Sequence, residues 1–373
     1  MTQAIDADVP PLEVGQWADA IGNREAEAPA EEGGEEEVAR ITVRPDEDVD
    51  VEVRRSDDAI VVVARGRRPG EHRFPRPLET VDLSRANVQT GLYATDGFAS
   101  PYRPLHVFPD ELSHELQLPP RFPSGLGVVA DGEERGDPTA VFAPDSRFTF
   151  SDTSFPWSAC GIVNTAAGWG SGVMVGPRHM MTASHVVNWG PNNTAGWMRF
   201  TPLRFDESEP FGRAGVTRVY WWNQANAGDG ISADECAFDY VICVLDRRLG
   251  DTVGWMGSRA YATSWNGGAY WAHVGYPSDL AGGVRPAFIG NGAFDSDFTR
   301  TIGGRDSLGL RHRIDAVPGQ SGGPYFGWWD GDPWPRVVAS QSAENWGGTG
   351  GPNTSGGGNP LPELISHALN VEP

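Results

Sequence analysis

The chain has 373 residues, 39% of them hydrophobic, and a formal net charge of −21, enough apolar material for a substantial core and length enough for more than one domain. A partner of the nucleic-acid class needs a basic face to meet its phosphates, and an anionic membrane surface needs the same, so this charge disfavours both. No run is long and apolar enough to cross a membrane. Lysine is absent, so every cation other than histidine is arginine, a pattern of GC-rich coding or a saline habitat more than of any one chemistry.

In chain order, Met1 to Asp8 has neither a basic n-region nor an apolar h-region, so no secretory signal is read there. Between residues 24 and 40, Glu25, Glu27, Glu31, Glu32, Glu35, Glu36 and Glu37 stand among Ala, Gly and Pro. Such a stretch cannot bury enough apolar area to fold, and residues 1–40 are expected to be a disordered acidic tail. Val49-Asp50-Val51-Glu52-Val53-Arg54 alternates with period two, Arg55 to Asp58 makes a turn, and Ala59 to Val63 returns, which predicts a hairpin. Pro-rich connections and a short amphipathic piece from Glu111 to Leu118 follow, and no internal repeat is found.

Beyond residue 140 the signals sharpen. Gly170 to Val175 and Met180 to Val187 are apolar runs joined by Gly176-Pro177-Arg178-His179, the pattern of adjacent antiparallel strands with His185 just past the second. Phe238-Asp239-Tyr240-Val241-Ile242-Cys243-Val244-Leu245 is a β-rich apolar run with one charge at its start, and a carboxylate leading into a buried strand needs a partner. Asp234 and Glu235 are rivals, but neither starts the run. Val317-Pro318-Gly319-Gln320-Ser321-Gly322-Gly323-Pro324 surrounds one serine with glycines, so that backbone N–H groups of Gly319 and Ser321 can converge on one point. Pro360 to Leu369 predicts a C-terminal helix. His179, in the turn, and His312, between two arginines, are expected to face solvent, and Trp221, Trp222, Trp328 and Trp329 to pack strands.

The serine loop alone also fits the G-x-S-x-G elbow of α/β-hydrolase esterases. That fold needs an acid and then a histidine downstream, and His367 is the one histidine beyond Ser321. Ser321, His185 and Asp239 together instead satisfy the logic of nucleophile, base and orienting carboxylate. Their order, within Thr182-Ala183-Ser184-His185, Asp239-Tyr240-Val241-Ile242 and Gly319-Gln320-Ser321-Gly322-Gly323-Pro324, resembles the chymotrypsin-like serine peptidases. Asp145-Ser146-Arg147 before Phe155-Pro156-Trp157, Val274-Gly275-Tyr276-Pro277 and Pro318-Gly319-Gln320-Ser321 are similar to the bacterial glutamyl-endopeptidase, or V8-like, branch. The resemblance covers roughly residues 141 to 370.

That resemblance implies an all-β fold of two antiparallel six-stranded barrels with a C-terminal helix, over residues 141–373. It implies a serine endopeptidase with His185 as base, Asp239 as its orienting acid, Ser321 as nucleophile, and the N–H groups of Gly319 and Ser321 as the oxyanion site. Residues 41–140 then read as a propeptide, masking the cleft or assisting folding, or as an accessory region that is never removed; processing would cut near Thr139-Ala140-Val141. A catalytically silent binding module of the same fold is the remaining alternative.

Specificity is assigned to Asp315, six residues before Ser321 where trypsin-like members carry a pocket acid, and to Ser340, Gln341 and Ser342. Gln341 stands where glutamyl endopeptidases carry the histidine that holds a substrate carboxylate, which puts glutamate preference in doubt. Three cysteines, Cys160, Cys236 and Cys243, make no disulfide framework. No Cys-x-x-Cys or His-Glu-x-x-His spacing indicates a metal, and no cofactor is implied. The expected partner is a protein or peptide substrate, met by a monomer. Relatives of this kind are typically exported, which the missing signal leaves open against a cytoplasmic site.

Overall fold

A computed structural model describes residues 9–13, 16, 36–42, 49–56, 59–66, 141–142, 144–226, 230–330, 332, 334–344 and 351–373. The chain divides into two compact units, one of Arg24–Leu92 with Leu105–Ser113, the other of Met1–Asn23, Tyr93–Pro104 and His114–Pro373.

The smaller unit holds an antiparallel sheet of β1 (Glu36–Thr42), β2 (Val49–Ser56) and β3 (Ala59–Gly66) in that order. The hairpin expected from the Val-Asp-Val-Glu-Val alternation is the β2–β3 pair, in register from Val49 opposite Gly66 to Ser56 opposite Ala59. β1 begins inside the acidic stretch, at Glu36. The piece from Glu111 to Leu118 lies outside the described residues.

The larger unit opens with β4 (Phe148–Thr149), then β5 (Cys160–Thr165), β6 (Gly168–Met174) and β7 (His179–Thr182). A small hairpin of β8 (Trp189–Gly190) and β9 (Thr194–Ala195) precedes β10 (Met198–Pro202), β11 (Ala214–Trp221) and β12 (Val241–Leu245). Six of these strands close into a barrel in the order β10-β11-β12-β7-β6-β5. The Gly176-Pro177 turn joins β6 to β7 as its composition predicts, and Val175 N donates to His179 O at 2.9 Å. β12 is buried at every position, as a strand inside a closed barrel with a helix against it must be.

The second half comprises β13 (Gly257–Ser258), β14 (Trp271–Gly275), β15 (Ala287–Gly292), β16 (Phe294–Ile302), β17 (Arg305–His312), β18 (Pro324–Gly327), β19 (Arg336–Ala343) and β20 (Asn353–Gly357). With β4 they form a nine-stranded sheet, ordered β16-β17-β20-β19-β18-β14-β15-β4, with β13 beside β19. The first barrel is thus hydrogen-bonded all the way round, while the second keeps two edges. The one parallel pairing among the described strands is β13 with β19, which leaves no place for the doubly wound sheet of an α/β-hydrolase.

One apolar cluster fills the first barrel and its junction with the second, around Phe200, Phe238, Val241, Met181 and Trp157. The other fills the second sheet with aromatic rings, Trp265, Trp271, Trp329, Phe294 and Tyr325. Each such ring taken out of water contributes on the order of 2–3 kcal/mol. The buried Arg259 guanidinium stacks in this second cluster, 5.0 Å from the Trp265 ring and 4.7 Å from that of Trp329. The predicted terminal helix runs Pro360–Val371, with Leu361, Leu364, Ile365 and Ala368 turned inward.

The expectation for His179 and His312 is corrected: both are fully buried. On β17 alternate side chains face opposite ways, so the arginines flanking His312 point outward and the histidine inward. There its Nε2 lies 3.0 Å from Ser355 Oγ, beside the Phe294 and Tyr325 rings. Burial pulls the imidazoles of His179 and His312 down, to about 4 and about 3. Cys160, Cys236 and Cys243 are all buried free thiols.

Candidate active site

His185 sits in a single 3-10 turn, Ser184–Val186, just after β7, and Asp239 two residues before the start of β12. These strands are neighbours, with Val241 opposite Thr182, so their ends bring the two side chains together. Asp239 Oδ1 accepts from the His185 backbone N–H at 2.9 Å, and Asp239 Oδ2 lies 2.6 Å from His185 Nδ1. This holds the ring by one nitrogen and leaves Nε2 free to act as a base. The Ser342 hydroxyl donates to the same Oδ2 at 2.6 Å. Asp239 is fully buried, a cost that three short hydrogen bonds offset.

Burial works against a charge on His185, but the charge of Asp239 and its hydrogen bond outweigh it, with smaller help from Glu344 and Glu235, and its affinity for a proton is raised. The rivals named from the sequence have another task. Asp234 and Glu235 occupy the first turn of the helix Ala233–Ala237, where Glu235 and Ser232 complete a capping box.

Ser321 stands in the turn before β18, half-buried. The loop is clamped from the first barrel by Ser171 of β6. Its N–H donates to Ser321 O at 2.7 Å and its hydroxyl to Gly319 O at 2.7 Å, while Tyr276 N–H donates back to that hydroxyl at 2.8 Å. From the other side Gly322 N–H donates to Gln341 O and Gln341 N–H to Gly323 O, both at 2.9 Å. Gly319 (φ 98°) and Gly322 (φ 83°) hold left-handed conformations. A Cβ on the first would strike Tyr276 O, and one on the second the Thr182 hydroxyl, so no other residue lets the loop lie this close to both barrels. The Gln320 N–H turns inward to Val317 O at 3.1 Å, whereas the N–H groups of Gly319 and Ser321 donate to no protein acceptor among the described residues. Two uncommitted donors flanking a serine suit an oxyanion.

The residues assigned to specificity separate in the structure. Both Asp315 oxygens are engaged, Oδ1 by Phe142 N–H at 2.7 Å and Oδ2 by Ser146 N–H and hydroxyl at 3.0 Å each. Asp315 is a buried anchor for the start of the barrels, and the open carboxylate expected from its spacing is not there. Gln341 is turned inward, its Oε1 accepting from Tyr325 OH at 2.6 Å. Ser340 is fully buried, its hydroxyl unpartnered among the described residues. Ser342 belongs with Asp239.

The roles of three groups near the loop escaped the sequence reading. Ser171 looked like one more residue of a Gly-rich strand. Arg147 is a buried guanidinium that meets Asp145 at 2.9 Å and Asp279 at 2.6 Å and donates to Gln320 Oε1 at 3.0 Å. Glu344, two residues past Ser342, is half-buried, and burial pushes its carboxyl up to about 8 against the pull of His185 and Arg147. Only tertiary contact distinguishes these from surface residues of the same type. Among the described residues no cluster of His, Cys, Asp and Glu has the make-up of a metal site.

No family model matches the chain. It is similar to a glutamyl endopeptidase of Bacillus licheniformis, 26% identical over an alignment of 218 residues that covers 54% of this chain and 63% of that protein. It is also similar to an extracellular metalloprotease of Bacillus subtilis, 27% identical over 199 residues, 51% of this chain and 58% of that one. The chain thus spans about three fifths of the length of these curated relatives. Among solved structures, a Glu endopeptidase bound to MPD aligns over 63% of this chain and 98% of its own, with a TM-score of 0.48 and 17% identity. The protease Anisep of Arthrobacter nicotinovorans aligns over 60% and 99%, with a TM-score of 0.42 and 18% identity. The similarity to glutamyl endopeptidase bears out the resemblance carried by the three motifs.

Proposed function

We propose that this chain, similar as it is to the V8-like serine peptidases, is a serine endopeptidase that cuts peptide bonds through Ser321, His185 and Asp239. The observation that carries the reading is the buried Asp239 carboxylate, with His185 Nδ1 2.6 Å away and the Ser342 hydroxyl bonded to the same oxygen. A carboxylate is rarely buried without a cation beside it. This one gains a partner when the imidazole takes up a proton, the event that a general base undergoes.

His185 Nε2 takes the proton of Ser321 Oγ as that oxygen attacks the substrate carbonyl carbon, and the carbonyl electrons move onto oxygen. The Gly319 and Ser321 N–H groups receive that charge; one such donor is worth about 2.7–4 kcal/mol in the barrier. The imidazolium, held by Asp239, gives its proton to the leaving amine, and an acyl-enzyme on Ser321 remains. Water, deprotonated by the same nitrogen, releases it.

The chain is made as a precursor in this reading, cut before Val141. Asp315 already grips the N–H of Phe142 in the intact chain, so the cut places a new ammonium one residue from a buried carboxylate. An extracellular peptide or protein is the substrate, and the enzyme works as a monomer. Incubation of the protein, cut before Val141, with a fluorophosphonate probe tests the core of the reading: the label lands on Ser321 and is lost in Ser321→Ala and His185→Ala. Intact labelling in His185→Ala defeats the triad, and no label at all leaves a silent binding module.

A further inference from the structure

Residues 9–12 read Val-Pro-Pro-Leu, far ahead of the barrels in sequence, yet they lie on the second barrel. Leu12 N–H donates to Trp328 O at 2.7 Å, and the Trp329 indole N–H donates to Val9 O at 3.0 Å. Pro11 is buried, and Leu12 packs against the main core. The run stops at a turn where Glu13 N–H donates to Gln16 Oε1 at 2.9 Å and Gln16 N–H to Glu13 O at 2.8 Å.

Prolines preset an extended backbone with no N–H groups to satisfy, so such a run loses little freedom on docking. Aromatic rings that pack on the prolines, with a side-chain donor to a free carbonyl, are the usual receptors for it. Here the Trp329 indole supplies the donor to Val9 O, and the Trp328 carbonyl accepts from Leu12 N–H. Both tryptophans directly follow β18, the strand that leaves the Ser321 loop.

We propose that the Trp328–Trp329 corner is a docking site for an extended, proline-containing segment, occupied by the chain's own Val9–Leu12, and that it keeps residues 1–140 bound to the barrels after a cut before Val141. Among the described residues, the docked strap then ties the N-terminal region to the barrels in addition to the peptide link at residue 140. Severing the link leaves the strap, so cutting and release are separate events. The inference takes only the position of the cut from the proposed function, and the test makes that cut independently.

A site-specific protease recognition sequence is inserted before Val141 in the full chain carrying Ser321→Ala, and the folded protein is cut and passed over a gel-filtration column at micromolar concentration. Residues 1–140 co-elute with the barrels in the otherwise native chain and in Leu12→Ile, and separate in Leu12→Asp, with an apparent dissociation constant at least tenfold higher. A synthetic peptide of residues 6–17 displaces the fragment from the cut parent protein, while the Leu12→Asp peptide does not, a readout that needs no altered barrel. Release from the native strap overturns the inference. So does equal retention in Leu12→Asp, which places the hold elsewhere in residues 1–140.

Discussion

Arg147 Nη1 donates to Gln320 Oε1 at 3.0 Å across 173 positions of sequence, and the same oxygen accepts from Val317 N–H at 3.0 Å. The residue beside Ser321 is therefore held by a guanidinium from the opening of the domain, itself gripped by Asp145 and Asp279. Arg147→Met is expected to cost about 2 kcal/mol, less than breaking a fully buried pair because both carboxylates keep water. It should also lower kcat by loosening the loop. Urea unfolding and turnover of a peptide ester check the two effects, and Arg147→Lys should rescue neither, since a point charge cannot serve three partners in one plane.

Asp239→Asn should lower kcat by about four orders of magnitude with the fold intact, because the amide stabilises the wrong tautomer of His185. Ser342→Ala removes one hydrogen bond to the same oxygen, and a loss of about tenfold in kcat with KM unchanged is expected. Pre-steady-state acylation of an activated ester separates these from effects on substrate binding.

The pH dependence of kcat/KM follows from His185 and Glu344. His185 must be neutral to act as base, and Asp239 raises its affinity for a proton above that of an ordinary histidine. Activity should therefore rise with pH through a midpoint above the usual histidine value. Glu344, pushed up to about 8 by burial, titrates in the same range and couples to it. Glu344→Gln should reduce the limb to a single titration displaced to lower pH, which a profile from pH 5 to 9 reads directly.

Asp315→Asn distinguishes an anchor from a substrate pocket. Asn keeps one acceptor for the 142–146 segment but loses the charge, so thermal stability should fall while the relative kcat/KM for substrates with Arg, Glu or Leu before the cut stays unchanged. A selective loss of Arg turnover would restore the pocket role.

Acid should destabilise the fold through its buried histidines. Burial pulls His273 and His312 down to about 3 each. Between their ordinary value near 6.5 and that depressed value the unfolded chain binds more protons, so stability is full above pH 6.5 and falls as pH drops toward 3. Calorimetry from pH 7 to 4 should show a falling melting temperature with proton uptake on unfolding.

The strands and turns that carry the site were legible because their signals are local: a Gly-Pro turn before His185, the one charge of Asp239 at the head of an apolar run, glycines around Ser321. What the sequence could not show is what each side chain meets. The spacing of Asp315 suggests a pocket floor, but its partners Phe142 and Ser146 lie 173 and 169 positions away. His312 reads as solvated between arginines because strand alternation becomes visible only once β17 is known to have a buried face. Ser342 borders the assigned pocket in sequence and turns out to hold Asp239. The strap at residues 9–12 left no trace, since two prolines before an acidic stretch read as part of the disordered tail expected over residues 1–40.

The two halves of the larger unit differ in how they guard against self-association. A closed ring offers no unpaired backbone to another molecule, so the first barrel cannot template intermolecular strand pairing. The second sheet has two borders, and one is trimmed to the dipeptide Phe148–Thr149. The other is β16, at nine residues the longest described strand, which carries Asp295, Asp297 and Arg300 along its length and a bulge between Phe294 and Ser296. Those charges, with the helix Ala233–Ala237 that packs against β16, guard this border against sheet extension. Neutral replacements at Asp295 and Asp297 should leave the native barrels intact and still raise the fraction lost to aggregates on refolding.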